Sequence, residues 1–291
     1  ASTQVTSTIA FGRALGLEVS CVLFDQPHTP YLREALQSDV ELGGELVYAG
    51  GYARTALRVA LELARDRSSY FIAPGASGPL ANLSYVDLTV AQMVGLDLDS
   101  ANLTGANLLG ANMQSVRLTN ANLTGVNLSG ANLQGANLSE AVLNQANLTG
   151  ANCHEANLSE VEAADCHMEG INLDSANLSE ADLNEAQLQG ANLFNANLRE
   201  ASLHQANLEH ANLNDADLCD ANLEGANLYM ADLRGANFRD ARLRGVNLRE
   251  AKIGDTSIRD ADLTDAVLPD GTIYTPQADL TRYGFIGRPV R

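Results

Sequence analysis

ANLQGANLSEAVLNQANLTGANCHEANLSE, residues 131–160, is six copies of one five-residue unit in unbroken phase. Followed outward in both directions, the phase runs from Ala81 to Asp270 without insertion, which makes 38 units. The third position is Leu in most units, with Met93, Met113, Phe238, Ile253 and Ile258 as apolar replacements. The first is nearly always Ala, with Val86, Leu96, Val116, Val126, Ile171 and Val246 among the exceptions. The second is mostly Asn or Asp, and the fourth and fifth are polar or Gly.

A period of five fits neither the 3.6 of a helix nor the 2 of a simple strand. It suits a chain that turns a corner every five residues, with the first and third side chains inward and the other three outward. Small Ala beside Leu lets a narrow core fill without voids. Gly, Asn, Asp and Ser at the outward positions suit the corners. Each coil then bonds to the next at the usual strand separation of about 4.8 Å.

On this pattern, A(D/N)LXX, the chain resembles the pentapeptide-repeat family. The resemblance implies a mainly β fold, a right-handed quadrilateral β-helix with four units per coil. Residues 81–270 would then make about 9.5 coils and a rod of about 45 Å.

Charge is distributed unevenly. Of the net −18, residues 81–270 carry −18, residues 1–80 carry −2 and residues 271–291 carry +2. Such an acidic chain repels nucleic acid and anionic lipid, and it favours a basic protein surface as partner. No apolar run is long enough to span a bilayer, and no charged-then-apolar leader opens the sequence. Four cysteines, Cys21, Cys153, Cys166 and Cys219, show no metal or disulfide spacing. Their pattern points to a reducing compartment, the cytoplasm.

Residues 1–80 read differently. Strands are expected at 17–24, 45–50 and 70–74, and amphipathic helices at 29–39 and 52–66, a small α/β layer. The stretches RALGLEVSCVLFDQPHTPYLREAL, YARTALRVALEL and FIAPGASGPLANLSYV resemble part of the pyridoxal-phosphate-dependent family of 1-aminocyclopropane-1-carboxylate deaminase and D-cysteine desulfhydrase. Where that family carries Ser-Asn-His/Gln near its cofactor, this chain has Ser2, Thr3 and Gln4. Aldimine chemistry needs a Lys amine, and the one Lys, Lys252, lies far along the repeat. The segment is therefore expected to act as an N-terminal cap, since solenoid ends need cover. A fusion, a truncated domain and a degenerate enzyme fragment are the open alternatives.

With four units per coil, Glu140, Glu160, Glu180, Glu200, Asp220, Asp240 and Asp260 form one column of seven carboxylates, a candidate binding strip. Arg199, Arg239 and Arg259 directly precede members of its lower half, where the upper half has Ser139, Ser159 and Ser179. Along the axis, residues 101–139 hold no acid, residues 140–224 hold 16 acids and one base, and residues 225–260 hold seven bases. The acidic belt spans about 20 Å, or about one charge per 1.4 Å, close to duplex DNA at about one per 1.7 Å. In VEAADCHMEG, 161–170, Ala163 replaces an inward Leu beside a larger Val161. Cys153 and Cys166 are expected inward, His154 and His167 outward, and Cys219 outward as the thiol most open to oxidation. No metal site or cofactor is expected. After Asp270, Pro269, Gly271 and Pro276 stop the winding, and Tyr274, Tyr283, Phe285 and Ile286 are expected to cover the last coil.

These features describe a non-catalytic scaffold or protein-binding surface of undetermined oligomeric state. The resemblance implies an alternative, since some pentapeptide-repeat proteins mimic DNA and act on type II topoisomerases.

Overall fold

The structure is a computed structural model that describes residues 83–85 and 87–290, together with the backbone of residues 20–24 and 45–49. Strands β1 (Ser20–Phe24) and β2 (Glu45–Ala49) pair in parallel. The helices expected at 29–39 and 52–66, the strand at 70–74, and Ser2, Thr3 and Gln4 lie outside the described residues.

From Asp87 to Val267 the chain winds as a β-helix, with parallel bridges between coils such as Asn137 to Asn157 and Asn157 to Asn177. Four units make one coil, and the second residues of successive units line four faces. We number the faces one to four from those that carry Asn102, Asn107, Asn112 and Arg117.

The unit 176–180, ANLSE, shows why each position has its residue type. Ala176 N–H donates to Leu173 O across the preceding corner at 3.0 Å. Asn177 N–H donates to Ala156 O on one neighbouring coil at 2.9 Å, and Leu178 N–H to Asn197 O on the other at 2.7 Å. Glu180 N–H donates to Arg199 O at 2.8 Å. The Ser179 N–H meets no backbone carbonyl, and it donates to the Asn177 side-chain Oδ1 at 3.3 Å. An Asx residue at the second position thus completes the set, because an unpaired amide at a tight corner is costly.

The fifth residue takes φ near +60°, as in Glu180 at 59°. A positive φ at the second central residue alone is the type II turn pattern, which favours Gly. Gly occupies this place in units such as 126–130 and 146–150, but many units place Glu, Asp or Asn there.

First and third side chains fill one continuous core along the rod, nearly all at 0–2% exposure. Ala163 and Val161 are buried at the irregular unit, and Cys153 and Cys166 are buried as expected. Cys166 Sγ–H donates to Leu143 O at 2.8 Å.

The C-terminal segment packs against the core through Tyr274, Tyr283 and Phe285, three of the four residues expected there, with Leu280 added. After a turn at Gly271 the chain reverses, and Ile273 bridges Val267 in antiparallel fashion. A short 3-10 helix (Leu280–Tyr283), N-capped by Asp279 and ended by left-handed Gly284, leads into strand β4 (Phe285–Ile286). Strand β4 pairs in parallel with β3 (Thr256–Ser257), one level beyond the last full coil of face four. Phe285 and Leu280 are buried, and Tyr274 and Tyr283 pack against the core. Ile286 is 49% exposed, because in a strand the residue after inward Phe285 points away from the core.

Leu178→Ala should lower stability by about 2–5 kcal/mol, since the rigid stacked coils cannot collapse onto the cavity. Ser179→Ala should stay within about 0.5 kcal/mol. Denaturant midpoints of the two variants check both.

Candidate functional site

The backbone ladder brings the predicted strip together. Glu140 N–H donates to Ser159 O, Glu160 to Ser179 O, Glu180 to Arg199 O and Glu200 to Cys219 O, at 2.8–3.0 Å. The same bond runs from Asp220 to Arg239 O, from Asp240 to Arg259 O, and from Asp260 to Arg288 O in the tail. All seven side chains are exposed. They form a column at the corner where face four turns into face one. Each pair of neighbours repels by about 0.9 kcal/mol in water at this spacing, before salt screens it.

Stacking adds acids that the column alone omits. Glu162 and Asp182 occupy successive second positions of face one, and Asp165 and Glu185 the corner beyond them. With Glu224, face one and the column hold ten of the 16 acids of residues 140–224. The one-coil spacing that outlined the column, applied also to Glu162 and Asp182, would have found them.

The diagonally opposite corner is different. Gly110, Gly130, Gly150, Gly170 and Gly190 stack there, and beside them runs an uncharged amide ladder. Asn112 Nδ2 donates to Gln92 Oε1, and the pattern continues through Asn132, Asn152, Asn172 and Asn192 to Asn212 at 2.9–3.2 Å. The rod therefore has one side richer in acids than the other.

The two halves of the acidic column differ as well. Arg199 does not pair with Glu200, its sequence neighbour. It reaches the next coil, with Nη1 3.3 Å from Asp217 and Nη2 3.8 Å from Asp220. Arg239 Nε donates to Asp240 Oδ2 at 3.0 Å. These hydrogen bonds to carboxylates raise both guanidinium pKa values above their ordinary range. In the upper half the corresponding places are Ser139, Ser159 and Ser179, whose short side chains leave Glu140, Glu160 and Glu180 to solvent.

Cys219 corrects the expected exposure, being 1% exposed. It stands at a fourth position in one stack with Arg199 and Arg239, whose long side chains flank the smaller thiol. Burial is the main cause that raises its pKa, and its hydrogen bond to Asp220 adds to this. Burial also pushes Cys153 and Cys166 up to about 12. The Cys219 thiol and the Asp220 and Asp240 carboxylates lie within 4.8 Å of one another. Arg239 is bonded to one of these carboxylates and Arg199 is close to the other, so the cations at this cluster are the protein's own. His154 and His167 point outward and lie beside Asp174 and Glu169.

The sequence matches the family described as Pentapeptide repeats, in 8 copies, over residues 81–120, 91–130, 127–162, 164–199, 201–240 and 226–265. This chain belongs to the pentapeptide-repeat family. Among solved structures it is similar to HetL, a pentapeptide repeat protein involved in heterocyst differentiation regulation from the cyanobacterium Nostoc sp. strain PCC 7120. The identity is 34%, over 65% of this chain and 92% of that one, with a TM-score of 0.37. Full-length QnrB1, a plasmid-mediated fluoroquinolone resistance protein, is 16% identical over 76% of this chain and 92% of its own, with a TM-score of 0.42. Rfr23, from the cyanobacterium Cyanothece 51142, is 29% identical over 39% of this chain and 91% of its own, with a TM-score of 0.25. At these TM-scores family membership rests on the repeats and not on the superpositions. No curated protein matches the chain.

Glu160 occupies a left-handed corner at φ 57°, a conformation that costs a side-chain-bearing residue about 1–2 kcal/mol. Glu160→Gly should therefore leave stability unchanged or raise it by up to about 1 kcal/mol, and Glu160→Val should lower it by about 1 kcal/mol or more. A clear loss in thermal midpoint for the Gly variant would show that the fold needs the acid. In a Cys21→Ser background, the native protein should react with a thiol reagent at pH 8 far more slowly than the unfolded chain, because thiols with raised pKa values carry little thiolate.

Proposed function

We propose that this pentapeptide-repeat protein is a non-catalytic binding rod whose acidic side docks a basic surface of a partner protein. The observation that carries this reading is the concentration of ten of 16 belt acids on one face and the two corners that flank it. Neither the fold nor the core accounts for them. The corners would be more relaxed as Gly, and the stacked charges repel. Complementary charge on a partner removes that repulsion and speeds encounter.

Catalysis finds no support in the described residues, since the strip offers carboxylates aligned along a convex corner instead of converging in a cleft. No helix among the described residues is long and apolar enough to cross a membrane. The unpaired Cys153, Cys166 and Cys219 support a cytoplasmic setting.

A second reading rests on charge density. At about one charge per 1.4 Å the belt rivals duplex DNA, at about one per 1.7 Å, and so suits a DNA-handling enzyme as partner. The two readings part on competition, because a DNA mimic displaces duplex DNA from its target in a salt-dependent way. Unchanged supercoiling by a type II topoisomerase at every salt concentration would remove the second reading.

For the first, we expect affinity capture at low salt to retain proteins on the wild-type chain that a Glu160→Gln, Glu180→Gln, Glu200→Gln variant releases. High salt should abolish the difference. Partners held equally by both forms would overturn the acidic strip as the docking surface.

A further inference from the structure

The repeat supplies its own internal comparison, because the same corner is built seven times with different neighbours. In the lower copies the residue before the acid is Arg199, Cys219, Arg239 or Arg259. Arg199 spans two carboxylates, Asp217 at 3.3 Å and Asp220 at 3.8 Å, and Arg239 donates through Nε to Asp240 at 3.0 Å. What two of these corners hold, those of Asp220 and Asp240, is thus visible in the molecule itself, and it is a guanidinium.

The upper copies keep the acid and lack the arginine. Glu140, Glu160 and Glu180 follow Ser139, Ser159 and Ser179, at the same backbone geometry, with φ of 57–59°. Their amides make the same ladder bonds as those of Asp220 and Asp240. The place that the Arg199 and Arg239 side chains fill below is open above. Face one adds Glu162, Asp165, Asp182 and Glu185 beside it, and no Lys or Arg stands on these two coils. The nearest, Arg199, is directed at Asp217 and Asp220, away from the upper acids.

We infer that the upper half of the column, Glu140, Glu160 and Glu180, is a row of guanidinium subsites that take arginine side chains from a partner protein. This rests on the acidic side being the docking surface, and it names the chemistry and position of what docks. A guanidinium is planar and presents several N–H donors, so one group bridges carboxylates on successive coils. A lysine ammonium is a compact point charge and gains less from such a pair. In the lower half Asp220 and Asp240 already meet a guanidinium from within, so that half contributes less.

The test uses the full chain and two labelled peptides, nine arginines and nine lysines, read by fluorescence anisotropy at about physiological ionic strength. The arginine peptide should bind about threefold or more tighter than the lysine peptide. Glu140→Gln, Glu160→Gln, Glu180→Gln together should weaken it by about tenfold or more. Asp220→Asn, Asp240→Asn, Asp260→Asn remove the same charge and should weaken it by less than about threefold.

Filling the subsites from within supplies an arm that leaves every acid in place. Ser139→Arg, Ser159→Arg, Ser179→Arg should weaken the peptide by about tenfold or more. The same three charges on face three, Gln114→Arg, Gln134→Arg, His154→Arg, should weaken it by less than about threefold. Circular dichroism checks that each variant keeps the β-helix.

Equal losses from the upper and lower acid variants would overturn the inference and reduce the effect to overall charge. So would equal losses from the two arginine variants, or equal binding of the two peptides. If the wild-type chain binds neither peptide, the acidic side itself fails as a docking surface. The two failures are therefore distinguishable.

Discussion

The hydrogen-bond ladder between coils places residues one coil apart directly above one another, and the rest of the molecule depends on that register. Three backbone bonds per unit run to neighbouring coils, a fourth closes the corner, and the Asx side chain takes the remaining amide. With every backbone donor of a unit engaged, the rod leaves little freedom for a unit to shift alone. The Ala and Leu pairs then pack into one core, and the outward positions line up as columns. A chemical property repeated at the coil interval becomes a stripe. That is how single acids spaced far apart in sequence become one surface.

The corners show how stability and surface chemistry compete. A left-handed fifth residue favours Gly, and the corner between faces two and three accepts it in five consecutive coils. The diagonally opposite corner carries seven acids at the same backbone angle. Those acids bear backbone strain and mutual repulsion, while their amides make the same bonds as any other residue there. The lower part of the column relieves the repulsion internally through Arg199 and Arg239, whereas the upper part does not.

Particular residues show where legibility stopped. The inward placement of Cys153 and Cys166 followed directly from their third and first positions. Cys219 occupies a fourth position and should have been exposed by the same rule, yet it is buried. Its cover comes from Arg199 and Arg239, which are remote in sequence and adjacent only after the coils stack. Arg199 precedes Glu200 in the sequence, but its side chain reaches across to Asp217 and Asp220. The C-terminal cover was legible as a break in the pattern, whereas the pairing of β4 with β3 was not, because no repeat encodes it.

By itself the sequence determined the unit, the core positions, the corner residues and the column of seven acids. All of these follow from a short period in which local sterics and burial act on each unit alike. Only the tertiary structure decided which acids share a side, which carboxylates are met by arginine, and which thiol is covered. Those outcomes depend on side chains that meet across coils, and their reach and direction are settled by packing and not by spacing. The column that the sequence outlines thus has two parts in the fold: a lower one where Asp220 and Asp240 are met by the protein's own arginines, and an upper one where no arginine reaches the acids.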